Sequence, residues 1–190
     1  MKDSEERGIA CTLGRTPPIG HHRFARLRFD VSRAKESSGL QTGGSRDTAQ
    51  GMSQENLDLA RRGYEAFARG DLDAAIEFMH PEIEAHDPAE VPDATIYRGR
   101  EAVRRDWEQT SDLFEDFSID VEKSFDRGDE VVVFLRFRGR ARESNAEVEA
   151  PMAHVWTVRD GKAVRLRQFL NRAEALEAVG LSEQDAPPDS

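Results

Sequence analysis

From Leu57 onward, apolar side chains return every three or four positions. Leu57, Ala60, Tyr64, Phe67 and Ala68 form the buried stripe of an amphipathic helix. Ser53 is its expected N-cap, with Glu55 placed against the helix dipole and Gly70 as the C′ residue. Asp71 then caps a second helix over Leu72 to Met79. His80-Pro81 stops it, because the residue before a proline is pushed out of the α region. Ile83 to Asp87 reads as a short strand closed by Pro88, and residues 88–97 as a loop rich in Pro, Asp and Ala. A third helix begins near Gly99-Arg100 and puts Ala102, Val103, Trp107, Thr110, Leu113 and Phe114 towards a core.

The period then changes to two. Phe117, Ile119, Val121 and Lys123 alternate with polar neighbours up to about Phe125, and Asp126 to Asp129 form a turn. Val131 to Arg142 opens as VVVFL and ends with Arg136, Arg138, Arg140 and Arg142 on one face. Those arginines are expected to pair with the acids between Glu143 and Glu149, the other option being an anion clamp. Ala150 to Leu170 is a long hairpin turning at Asp160-Gly161, a pair that accepts the positive φ of a type I′ turn. On its first strand Met152, His154, Trp156 and Val158 share a face opposite Ala153, Val155 and Thr157. On the return strand Val164, Leu166, Gln168 and Leu170 oppose Arg165, Arg167 and Phe169. Both faces carry bulky groups, so one is expected on helices and the other on a partner subunit. Asn171 caps a last helix, Arg172 to Val179, ended by Gly180.

These elements predict an α+β domain over residues 52–181, with about three N-terminal helices, an antiparallel sheet and a short C-terminal helix. Residues 1–51 have no sustained period and read as a disordered arm, or as sequence ahead of a start at Met52. Residues 182–190 are too polar to order. The first 51 residues hold 9 basic and 6 acidic side chains and the remainder 18 and 31, so the domain is strongly acidic. That charge excludes nucleic acid and an anionic membrane surface as partners. The single Cys11 forms no intrachain disulfide and suits a reducing cytoplasm. His21, His22 and Cys11 match no ligand spacing, so no metal is expected, and nothing calls for a cofactor.

Three stretches carry a resemblance: YEAFARGDLDAAIEFMHPEIEAHDP at Tyr64 to Pro88, YRGREAVRRDW at Tyr97 to Trp107, and HVWTVRDGKAVRLRQF at His154 to Phe169. Together they resemble the SnoaL-like group of the nuclear transport factor 2-like superfamily, which also contains ketosteroid isomerase and limonene epoxide hydrolase. The resemblance implies a cone: a curved antiparallel sheet wrapped by helices around an apolar pocket, often a homodimer through the outer sheet face. Such a fold hosts many activities. Alignment with ketosteroid isomerase puts the general base on Asp87, the oxyanion tyrosine on Gly63 and the protonated aspartic acid on Ala153. Two of the three catalytic groups are thus missing, which argues against that enzyme's mechanism.

The same alignment turns Asp87, Ala153, Val155, Thr157, Leu166 and Gln168 into the pocket, joined by Tyr64, Phe67 and Trp107 from the helices. His154 then points to the outer face, as the second catalytic candidate after Asp87. An epoxide hydrolase would need an Asp–Arg–Asp relay, for which no second pocket acid is visible in the sequence. Two functions follow. One is a cofactor-free isomerase- or cyclase-type proton transfer by Asp87 on an apolar polyketide- or terpenoid-like molecule. The other is a non-catalytic module that binds a small apolar ligand, with Asp87 serving only to form a turn.

Overall fold

The computed structural model describes residues 46–184 of the 190-residue chain. The expectations for the arm up to residue 45 and for the end of the tail, with Cys11, His21 and His22, lie outside that range. Helix α1 (Arg46–Ala68) runs through Ser53, which is therefore an interior residue and not a cap. A serine inside a helix costs only a few tenths of a kcal/mol, roughly, and cannot stop one by itself. Gly70, at φ 75°, closes α1 as the left-handed C′ residue, and Asp71 caps α2 (Leu72–Glu77) by accepting the Ala74 N–H at 3.1 Å.

The chain then enters β1 (Met79–His86) earlier than expected. Pro81 is tolerated there because it lies in the irregular stretch of the ladder between Met79 and Glu84, where no regular pairing is lost. A short strand, β2 (Ile96–Arg98), replaces part of the expected loop. Three residues are too few to show a period, and their order comes from antiparallel pairing with Glu84 to His86. Helix α3 (Arg100–Leu113), strands β3 (Phe114–Arg127), β4 (Glu130–Ala141), β5 (Glu147–Arg159) and β6 (Lys162–Phe169), and helix α4 (Arg172–Glu177) follow. Asp160 and Gly161 both have positive φ, as the β5–β6 turn requires.

The six strands form one curved, open sheet in the order β2-β1-β6-β5-β4-β3. All neighbours are antiparallel except β1 and β6. That parallel pair is possible because α3 and four strands separate the two in sequence, ample chain for a crossover.

Register decides which residues share a face. Directly opposed residues point the same way, and His154 opposes both Val133 and Gln168, while Trp156 opposes Val131 and Leu166. These side chains all face α1 and α3, where Ala60, Tyr64 and Val103 complete the main core. The other face near this end carries Val132, Phe134, Ala153 and Val155, and α4 covers it with Ala175, Leu176 and Val179. The expected facing of the hairpin is therefore reversed for β5. Gln168 cannot point inward without His154, because the two are cross-strand partners, and Val155 must then point outward. The bulky outer residues at this end are buried by the chain's own last helix.

Candidate functional site

Between the helices and the inner sheet face lies a cavity of about 590 Å³. Its wall is mostly aromatic and aliphatic: Phe67 and Trp107 meet edge-to-face at 4.9 Å, and Phe117 and Phe137 at 5.2 Å. Leu113, 60% exposed, stands with Val91 and Leu170 where the wall reaches solvent. No lysine or arginine lines the cavity among the described residues. Its polar content is concentrated in two clusters.

The first is a chain of hydrogen bonds set by α1, β5 and β6. The Trp156 indole N–H donates to the Tyr64 hydroxyl oxygen at 2.9 Å, and that hydroxyl lies 2.6 Å from His154 Nδ1. An indole only donates, and Nδ1 is the acceptor at hand for the one proton of the buried phenol, so Tyr64 donates and Nδ1 accepts. His154 is thus a neutral imidazole with its proton on Nε2, in reach of its cross-strand neighbour Gln168. At 6% exposure, loss of hydration holds the His154 pKa down at about 3, only partly offset by the Gln168 hydrogen bond. Burial likewise pushes the Tyr64 hydroxyl above its ordinary range, against the bond from Trp156. Gly63, one residue before Tyr64, is required by close approach. A Cβ there would lie 2.3 Å from the Phe78 ring.

The second cluster joins the end of β1, β2 and α3. Asp87 follows β1, and its backbone N–H bonds to the Thr95 carbonyl at 3.1 Å while its Oδ2 accepts the Thr95 N–H at 3.1 Å. The loop is closed on itself in this way, which fixes the carboxylate at the wall. Tyr97, from β2, lines the same stretch of wall as Asp106 on α3 and Asp87. Burial first, then hydrogen bonds and the charges of both carboxyl groups, raise the Tyr97 hydroxyl. Burial also raises Asp106 above the usual carboxylate range, with the Tyr97 hydrogen bond opposing and the Asp87 charge adding.

The structure therefore brings together Asp87, His154, Tyr64, Phe67, Trp107 and Gln168 on one cavity wall. It does not place Val155 there, since that residue packs under α4, nor Leu166, which lies in the core layer with Trp156. Asp106, Tyr97 and Trp156 are wall residues that the sequence pattern alone did not single out. Asp106 had a signal: Val103, Asp106 and Thr110 follow helical spacing, which sets an acid on the apolar face of α3. Asp106 is also the second pocket acid that an Asp–Arg–Asp relay would need. The arginine of such a relay is absent from the wall among the described residues.

With fold and cavity in view, the chain can be set beside known proteins. Residues 60–166, more than half its length, match the SnoaL-like domain, and the protein belongs to that family. No curated protein matches. Among solved structures, a nuclear transport factor 2-like protein from Burkholderia thailandensis E264 is similar at 27% identity. That match covers 62% of this chain and 89% of the other, with a TM-score of 0.57. A candidate SnoaL-like polyketide cyclase from Jannaschia sp. CCS1 shares the fold at 20% identity, over 78% of this chain and 100% of the other, at a TM-score of 0.57. TerC, crystallised with polyporic acid, shares it at 20% identity, over 66% and 98%, at a TM-score of 0.55.

Proposed function

We propose that this protein is a cofactor-free proton-transfer enzyme of the isomerase or cyclase type, acting on a small apolar carbonyl compound, with Asp87 as the base. The observation that carries this reading is the position of Asp87 on the wall of an apolar cavity of about 590 Å³ that no cationic side chain lines among the described residues. A carboxylate held at that wall by the Thr95 bonds is placed to meet a C–H bond of a molecule bound in the cavity. It can remove only an acidified C–H bond, so the substrate must carry its own electron sink, a carbonyl conjugated with or adjacent to that carbon. Gln168 supplies an uncharged amide N–H for the carbonyl oxygen, and the aromatic wall takes the hydrocarbon body. The polyketide- or terpenoid-like class follows from that combination. The outer sheet face, with Arg136, Arg138 and Arg140 alternating against Glu147 and Glu149, supports a homodimer.

Ring opening of 5-nitrobenzisoxazole tests the base. A carboxylate takes the ring C–H proton, the N–O bond breaks, and a coloured cyanophenolate leaves. Wild type is expected to accelerate the reaction and Asp87→Asn to lose about 100-fold or more. Equal rates in the two would remove Asp87 from the role. Quenching of Trp107 and Trp156 fluorescence by the probe without any ring opening would favour the second reading, a binding module for a small apolar ligand, which the same cavity supports.

A further inference from the structure

The cavity holds carboxyl groups without a counter-charge. Asp87 and Asp106 are half-buried on its wall and Asp93 lies at the exposed rim, and no lysine or arginine joins them among the described residues. Away from the cavity, acids and arginines are matched: Glu84, Glu122 and Glu149 each meet two arginines. The arginines of α3 are engaged elsewhere. Arg104 pairs with Asp73 and Glu108, and Arg100 donates to the Met79 and Glu77 carbonyls. Burial therefore acts on Asp106 with no positive charge to offset it.

A neutral hydrocarbon filling this cavity would strip water from the wall carboxyls and return nothing, which is costly. An anion would be repelled. A positive charge on the ligand supplies the missing partner, and the rest of the wall suits one kind of cation. Trp107 adjoins Asp106 on α3 and meets Phe67 edge-to-face, and Phe117 and Phe137 continue the aromatic surface. Aromatic faces carry negative charge density and attract alkylated ammonium groups, whose methyl groups also pack as hydrocarbon. A primary ammonium brings three N–H donors that all need acceptors. A wall this apolar favours an ammonium with one N–H or none.

We infer that the cavity takes a small hydrophobic molecule bearing an alkylated ammonium group, a protonated tertiary amine or a quaternary ammonium, with Asp106 as the residue that selects its charge. The inference deepens the proposed function and rests on its reading of this cavity as the ligand site. The ammonium lies against Asp106 on α3 and the hydrocarbon body against the rings, which leaves Asp87, at the end of β1, for the acidified C–H bond. An amino ketone meets both requirements, since its carbonyl is the electron sink and its nitrogen carries the charge.

Benzoylcholine and its neutral isostere 3,3-dimethylbutyl benzoate test the charge, because they differ only in a quaternary nitrogen replaced by carbon. Each is titrated into full-length protein and followed by tryptophan fluorescence. The ammonium ester is expected to bind at least about tenfold more tightly. Asp106→Asn should erase that preference and leave the neutral ester bound as before, which also shows that the variant is folded. Glu149→Gln removes a charge far from the cavity wall and should change neither affinity. Failure of the ammonium ester to bind, equal or tighter binding of the neutral ester, or a preference that survives Asp106→Asn overturns the inference. So does an equal loss in Glu149→Gln, which would assign the preference to the net charge of the chain. Ammonium preference of the expected kind in a protein that opens no 5-nitrobenzisoxazole counts against proton transfer by Asp87 and leaves this inference standing. Ring opening by Asp87 without ammonium preference refutes this inference alone.

Discussion

Tyr64 shows how much can hang on one hydroxyl. It satisfies the buried Trp156 N–H at 2.9 Å and the His154 Nδ1 at 2.6 Å. Tyr64→Phe keeps the ring but leaves both groups without a partner. The cost should be about 2–4 kcal/mol in urea unfolding, more than removal of an exposed hydroxyl. His154 makes a separate, pH-dependent contribution. In the folded protein it stays neutral down to about pH 3, while in the unfolded chain it takes a proton near its ordinary value of about 6.5. The unfolded state therefore binds more protons between those values, and stability falls as pH drops through that window, by about 1.4 kcal/mol per pH unit from this group. Unfolding free energy measured from pH 6 down to pH 4 should approach that slope, and His154→Gln should remove it. The apolar wall residues Tyr64, Phe67 and Trp107 were legible from helical spacing. His154 was singled out but turned the wrong way, because alternation says that Ala153 and His154 point oppositely and not which of them points inward. Only the pairing of His154 with Gln168 settles that, and pairing is a long-range property.

At the scale of elements, helices α2 and α3, the four strands β3 to β6 and the Asp160-Gly161 turn follow from period, caps and turn chemistry alone. What could not be read there was decided by partners distant in sequence. Strand β2 exists through its pairing with β1, and β1 runs parallel to β6 across most of the chain. Helix α4 was legible, but not that it folds back on Val132, Phe134 and Val155 and so explains the doubly apolar start of β4. Leu176, fully buried there, anchors that helix. Leu176→Ala should cost about 2–5 kcal/mol in equilibrium unfolding and leave binding in the cavity on the opposite face unchanged. The approach of α1 to α2 is equally exacting. Gly63→Ala drives a methyl group into Phe78, which packs edge-to-face on Trp156 at 5.1 Å, and should cost about 1–3 kcal/mol.

Across the whole molecule, the curved sheet separates two kinds of surface. Its inner face holds the cavity, and its outer face beyond α4 carries a lattice of exposed ion pairs, with Arg136 to Glu122 at 2.6 Å, Arg138 to Glu149 at 3.1 Å and Arg140 to Glu147 at 3.2 Å. The cross-strand pairing expected of that arginine stripe agrees with these contacts. Each exposed pair contributes about 0–1 kcal/mol, so the lattice adds little to stability, and Arg138→Ala should barely move the unfolding midpoint. In a dimer through this face the same substitution should instead weaken association, which light scattering at falling protein concentration would report. Among the described residues no helix is long and apolar enough to cross a membrane.

Proton abstraction inside the cavity is the central claim, and exchange of carbon-bound hydrogen reads that event directly. The proton NMR signals of 2-tetralone next to its carbonyl are followed in D2O, with occupancy matched between wild type and Asp87→Asn by tryptophan fluorescence. Wild type should exchange these protons well above the buffer rate, and Asp87→Asn should fall to within about tenfold of buffer while still binding the ketone. Binding of the ketone by wild type with exchange no faster than in buffer, or exchange that Asp87→Asn leaves intact, would contradict that claim.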